Sequence, residues 1–178
     1  MINYESSTSP FFENNKKFCT EIELNLNELN YKYSGFCNSY GYEINSIFLR
    51  NNFEFKIRLF KNQTTRSGII TPIDAFDFTG IELEINTLKQ SISITFGKNK
   101  LKRLFTSKSI KNKIPSPFYL STNYKLESQE ISNLLHFLLE TKVDSFEYKN
   151  GNALFELNQS SLNIIHELDK FEKIVLSL

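Results

Sequence analysis

Residues 128–157 read SQEISNLLHFLLETKVDSFEYKNGNALFEL, and this stretch joins a helical pattern to a strand pattern. In its first half the apolar residues recur at helical spacing, at Ile131, Leu134, Leu135, Leu138 and Leu139. Ser128 is suited to the N-cap position, and Glu130 places a negative charge in the first turn. The stretch therefore predicts an amphipathic helix over Ser128–Lys142.

The second half of the stretch predicts a β-hairpin. Asn150-Gly151 suits a two-residue type I′ turn, because both positions of that turn need a positive φ. With this turn, Phe146 pairs with Phe155 and the two side chains share one face of the hairpin. Tyr148 and Ala153 form the next pair on the same face, so the register agrees with the hydrophobic pattern.

Upstream of this stretch, apolar and polar residues alternate, as is typical of half-buried strands. The alternation predicts strands at Thr20–Asn27, Phe53–Phe60, Ile81–Ile85 and Ser91–Phe96. The last two are predicted to be antiparallel partners, and Lys61–Gly68 is predicted to be a polar loop. The short links between these segments favour an antiparallel sheet over repeated β-α-β units.

Downstream of it, a final helix is predicted to begin after Ser160 or Ser161. Its apolar stripe comprises Leu162, Ile165, Leu168, Phe171 and Val175. The chain is therefore expected to be an α+β protein, with a mainly antiparallel sheet in the first two thirds, then an amphipathic helix, a β-hairpin and a C-terminal helix. Residues 1–10 are expected to form a disordered tail, and residues 11–178 a single domain.

The charges of the chain are distributed unevenly. Between Ile85 and Leu126 there is no Asp or Glu, although the whole chain has 21 basic and 20 acidic residues. The remainder of the chain is therefore acidic, and the near-neutral total conceals a polarised molecule. The basic residues of this segment are Lys89, Lys98, Lys100, Lys102, Arg103, Lys108, Lys111, Lys113 and Lys125.

Within the basic segment, Leu101, Leu104 and Phe105 recur at helical spacing and are expected to point inward, onto the protein's own sheet. The surrounding basic side chains are then expected to form an exposed patch for an anionic partner, for which an acidic protein is the leading candidate. Nucleic acid is the alternative, weakened by the single arginine of the segment, because arginine makes the bidentate contacts to phosphate and guanine. The predicted partner-binding residues are Lys98, Lys100, Lys102, Arg103, Lys108, Lys111 and Lys113.

Several kinds of chemistry are excluded or disfavoured by counting. The six glycines form no phosphate-binding loop motif, so no nucleotide cofactor is expected. With only His136 and His166 as histidines, multi-histidine metal sites are excluded, and no metal is expected. Cys37, His136 and Asp144 follow the chain order of some thiol hydrolases, which leaves a small Cys/His hydrolase as a further alternative.

The location is expected to be cytoplasmic. No apolar run approaches the length of a membrane span, and Met1–Pro10 lacks the features of a secretory signal. Cys19 and Cys37 match no metal-ligand spacing and are expected to be reduced, buried thiols. These observations favour a non-enzymatic protein-interaction module, either a subunit of a larger assembly or an immunity-like partner protein.

Overall fold

The computed structural model describes residues 1–65, 75–86, 92–123, 128–157, 165 and 167–178. These residues form two compact units, one containing those up to Glu82 and the other those from Leu83 onward. They include nine strands, mostly antiparallel, and five helices, so the predicted α+β class is confirmed. The single domain over residues 11–178 stays a prediction.

The first unit combines one long helix with the first strands of the chain. Its elements are β1 (Ile2–Tyr4), α1 (Pro10–Glu28), β2 (Lys32–Asn38), β3 (Gly41–Arg50), β4 (Phe53–Thr65) and the first part of β5 (Ala75–Asn86). The strands lie in the order β1-β2-β3-β4-β5. β1 pairs with β2 in parallel, whereas the β2–β3 and β3–β4 pairs are antiparallel.

The predicted strand at Thr20–Asn27 is wrong, because these residues belong to α1. Ile22 and Leu26 are buried, whereas Leu24, which a strand would place on their face, is 59% exposed. The local alternation coincides with a longer helical stripe, which begins at the buried Phe12 and includes Cys19. Ser9 starts the helix by accepting a hydrogen bond from the Phe11 N–H at 3.3 Å.

The first ten residues also differ from the expected disordered tail. Ile2–Tyr4 forms β1, and the side chain of Ile2 is buried. Glu23 of α1 holds this strand, since its carboxylate accepts the Ile2 N–H at 3.2 Å and the Tyr4 hydroxyl at 2.7 Å. A pair of polar contacts therefore fixes a segment whose composition alone indicated disorder.

The predicted loop at Lys61–Gly68 is strand over its first part, because β4 continues to Thr65. Lys61 and Asn62 lie opposite Tyr42 and Gly41 of β3, so the backbone ladder extends beyond the apolar alternation. Residues 66–68 lie outside the described part of the chain. β3 itself occupies Gly41–Arg50, where no strand was predicted.

The second unit contains the rest of β5, four more strands and four helices. Its elements are β6 (Ser93–Lys98), α2 (Lys100–Phe105), α3 (Lys108–Lys111), β7 (Phe118–Thr122), α4 (Ser128–Glu140), β8 (Val143–Lys149), β9 (Asn152–Leu157) and α5 (Leu168–Leu176). The strands lie in the order β5-β9-β8-β6-β7. The predicted pairing of the strands now labelled β5 and β6 is wrong, because the β8–β9 hairpin lies between them.

The hairpin is confirmed in both turn and register. Asn150 and Gly151 have φ values of 51° and 81°, as a type I′ turn requires. Phe146 pairs with Phe155, and Tyr148 with Ala153. The predicted cap at Ser160 or Ser161 and Leu162 of the last stripe lie outside the described residues, whereas Ile165, Leu168, Phe171 and Val175 are buried.

Candidate interaction surface on α2

The basic segment folds into the two short helices α2 and α3 between strands β6 and β7. The Asn99 side chain caps α2 by accepting a hydrogen bond from the Lys102 N–H at 3.0 Å. After Phe105 the backbone of Thr106 returns to an extended conformation, which ends the helix. The segment therefore forms two separate short helices, of which α2 contacts the edge strand β7, rather than one continuous amphipathic helix.

The apolar side chains of α2 point outward, contrary to the prediction. Leu101 is 72% exposed, Leu104 is 67% exposed and Phe105 is 89% exposed. They are neighbours on one helix face, because they occupy positions i, i+3 and i+4. The reason for the inversion is that the opposite face of α2 carries polar groups that bond to β7 and to the loop before it.

Arg103 makes the largest set of these internal bonds. Its guanidinium donates to four backbone carbonyls, those of Lys111, Ile114, Pro115 and Phe118. Three of these bonds measure 3.1–3.2 Å. The five donors of the planar guanidinium suit such a cluster of acceptors, which a single ammonium group could not replace. Arg103, predicted to bind a partner, thus stabilises the loop between α3 and β7.

Four of the predicted partner-binding lysines also have acceptors within this unit. Lys98 forms an ion pair with Asp144, and its ammonium lies over the Phe118 ring. The other bonds run from Lys102 to the Tyr119 hydroxyl at 3.3 Å, from Lys111 to the Leu104 carbonyl at 2.8 Å, and from Lys113 to the Ser132 hydroxyl at 2.8 Å. A partner could replace these surface bonds. In the free protein, however, they leave fewer lysine ammonium groups available for binding.

Lys100 and Lys108 remain, and neither makes a hydrogen bond or ion pair with any residue that the structure describes. Both are exposed, and they flank the apolar side chains of α2 in sequence. We call Lys100, Leu101, Leu104, Phe105 and Lys108 the α2 surface. Lys89 and Lys125, the remaining cations of the segment, lie outside the described residues.

The residues proposed for a thiol hydrolase have other partners. Cys37 lies in the first unit, where burial raises the pKa of its thiol, and Cys19 is its hydrogen-bonding neighbour. A catalytic thiol needs the opposite shift, toward the thiolate. His136, in α4 of the second unit, is exposed and lies 3.2 Å from Glu140, while Asp144 pairs with Lys98. None of these contacts supports nucleophilic catalysis.

Two further findings hold for the described residues only. They contain no cluster of three or more His, Cys, Asp or Glu side chains that could hold a metal ion. They also contain no helix with the length and apolar content needed to cross a membrane.

The chain matches no known protein family, no curated protein and no solved structure. The α2 surface, with its exposed apolar and basic side chains, is therefore the candidate site on this chain.

Exposure of the α2 face was the feature that sequence patterns missed. The spacing of Leu101, Leu104 and Phe105 identified the face correctly, but the predicted inward direction of that face was wrong. The sequence carried no signal for the direction, because the buried side of this six-residue helix is decided by the loop that follows it. On the side that faces β7, Arg103 and the C-cap residue Thr106 bond to the carbonyls of Phe118 and Leu120.

Proposed function

We propose that the protein is a non-enzymatic interaction module of the cytoplasm that binds an acidic protein through the α2 surface. It would act as a subunit of a larger assembly or as an immunity-like partner protein. The observation that carries the proposal is the exposure of three large apolar side chains on one face of α2. Exposed apolar patches rimmed by polar groups are typical of interaction sites.

The energetics of such a contact favour a mixed apolar and acidic partner surface. Burying a leucine or phenylalanine side chain contributes roughly 1.5–3 kcal/mol, so the three apolar residues can supply most of the affinity. Lys100 and Lys108 would add electrostatic steering, which accelerates association and selects against basic partners. The best complement is therefore an apolar patch flanked by carboxylates.

Nucleic acid is the weaker alternative because of how the arginine is used. Arg103 is the only arginine of the basic segment, and its guanidinium bonds to four backbone carbonyls between Lys111 and Phe118. Phosphate recognition would then depend mainly on Lys100 and Lys108, and few phosphate contacts mean weak binding. The exposed leucines of α2 have no counterpart in that mode of binding.

Photo-crosslinking in the native cell tests the proposal. We would place a photoreactive phenylalanine analogue at Phe105 and, as a matched control, at Leu49 of β3, which is 76% exposed in the other unit. We expect a protein adduct from position 105 that is absent from position 49. The adduct should also diminish when Lys100 and Lys108 are both changed to Glu. Identical products from both positions, or a nucleic-acid adduct, would contradict the proposal.

A further inference from the structure

A cleft of about 500 Å³ lies beside the α2 surface, within the second unit. One wall is the β6–β7 ladder, and the other is formed by α2, α3 and the residues that join them. The residues important here are Thr95, Lys102, Phe105, Ile110, Tyr119 and Ser121. Small-molecule sites commonly measure roughly 300–1,000 Å³, so the cleft has the size of a ligand site.

The strand wall carries hydroxyl groups in a row. Thr95 of β6 lies directly opposite Ser121 of β7, and the next pair on this face is Gly97 and Tyr119. The hydroxyls of Thr95 and Ser121 make no hydrogen bond with another described residue. The Tyr119 oxygen accepts from Lys102, which leaves the phenolic proton available for donation. These three hydroxyl groups and the Lys102 ammonium therefore line the cleft, together with Thr106, Ser107 and Thr122.

The helical wall carries the ammonium group of Lys102 beside apolar side chains. Its apolar groups are Phe105 and Ile110, and Thr106 and Ser107 lie between them in sequence, while Leu120 lines the cleft from β7. No Asp or Glu is among the described lining residues, so no carboxylate would repel an anion that enters. The cleft thus combines a hydroxyl-lined strand wall with a helical wall that carries one ammonium group and apolar side chains, a composition suited to orienting a partly apolar anion.

We propose that this cleft binds a small organic anion, a ligand class that goes beyond the proposed protein-docking function. Its carboxylate or phosphate head accepts hydrogen bonds from Lys102, Thr95, Ser121 and Tyr119. Its aromatic or aliphatic body packs against Phe105 and Ile110. Charge-assisted bonds from the ammonium make the anionic head the main source of selectivity over neutral compounds of the same shape.

Titration followed by amide NMR tests this site with phenyl phosphate, benzoate and the neutral benzyl alcohol as probes. We expect saturable shifts at Thr95 and Ser121 with at least one of the two anions, and the tighter of the two identifies the head group. Benzyl alcohol should bind about 10-fold more weakly or worse, because it lacks the charged head.

Two variants and a control decide which groups bind the probe. Lys102→Gln should weaken binding of the preferred anion by about 10-fold or more, whereas Lys100→Gln on the same helix should change it less than about 2-fold. Thr95→Val keeps the side-chain shape and should also weaken binding, so the site remains testable if Lys102→Gln perturbs the fold. Absence of saturable shifts, equal binding of benzyl alcohol, or equal effects of the two lysine variants would overturn the proposal.

Discussion

The guanidinium of Arg103 donates to the Ile114 carbonyl at 3.1 Å, and this bond is one of four that tie α2 to the chain before β7. The acceptors belong to the last residue of α3, to the loop that follows and to the first residue of the edge strand, so one side chain bonds along this whole stretch. It also occupies the open edge of β7 together with Thr106, whose hydroxyl donates to the Leu120 carbonyl. Covering an edge strand in this way protects it from pairing with other chains.

Replacement of Arg103 by Ala should therefore destabilise the second unit by at least about 2 kcal/mol, since several carbonyls lose a charged donor. Arg103→Lys should recover only part of this loss, because an ammonium lacks the planar fork. Lys100→Ala is the matched control on the same helix and should stay within about 0.5 kcal/mol. Urea unfolding measures all three, and equal stabilities of the Arg103→Ala and Lys100→Ala proteins would contradict the structural role.

Two strand glycines should respond differently to alanine. A Cβ at Gly35 would lie 2.2 Å from the Glu43 carbonyl oxygen, a backbone atom that cannot move away alone. We expect Gly35→Ala to cost about 1–3 kcal/mol in unfolding free energy, as for other overpacked sites. At Gly97 the nearest atom would be 3.5 Å away in the Tyr119 ring, so Gly97→Ala should be nearly neutral. A Gly35→Ala loss as small as that expected for Gly97→Ala, measured by thermal or urea unfolding, would contradict the close approach of β2 and β3.

The paired thiols predict a loss of stability at alkaline pH. Burial raises the pKa of both Cys19 and Cys37 in the folded protein, so the folded state keeps protons that the unfolded state releases. The two thiols leave the free energy of unfolding unaffected by pH below the unfolded-state thiol pKa of about 8.5. Above that pH the free energy of unfolding declines, by up to about 1.4 kcal/mol per pH unit for each thiol. Unfolding free energies at pH 7 and pH 9.5 should therefore differ in the wild type.

The control for this pH dependence is the double variant Cys19→Ala and Cys37→Ala. It is less stable at every pH because of the lost packing, so the comparison is the change between the two pH values within each protein. That change should be smaller in the double variant. An unaltered change would mean that groups other than the two thiols titrate in this range.

The N-terminal strand should depend on Glu23. Changing Glu23 to Ala removes the acceptor of both the Ile2 N–H and the Tyr4 hydroxyl, so β1 should open more often. Hydrogen exchange of the amides of residues 2–4 should become faster, by about 10-fold or more for the loss of bonds to a charged group. Glu21→Ala, at an exposed position of the same helix, should leave their exchange unchanged. Equal exchange in the two variants would contradict the anchoring role.

The elements that were predicted correctly share one property: each has a sequence pattern that is compatible with only one structure. The stripe of α4 and the Asn150-Gly151 turn each specify one structure, and both are confirmed. At Thr20–Asn27, by contrast, Ile22 and Leu26 fit a period of two and a helical repeat equally well, and tertiary packing against the sheet decided for the helix.

The candidate surface could be located but not oriented from the sequence. The absence of acids around residues 98–113 pointed to this segment, and helical spacing grouped the apolar residues of α2. Which face is buried depends on where the carbonyls of the following loop lie, and Arg103 reaches them only after the chain folds back through Pro115 to β7. The spacing of residues along the sequence does not show where the chain folds back toward α2.

The most direct test of the docking proposal is the affinity of the crosslinked partner for three proteins at low and high salt. Relative to the wild type, Phe105→Ser should weaken binding by about 10-fold or more at both salt concentrations, because it removes an apolar anchor. The Lys100→Glu/Lys108→Glu protein should bind weakly at low salt through slower association and approach the wild type at high salt. Wild-type affinity in both variants under both conditions would contradict docking through the α2 surface.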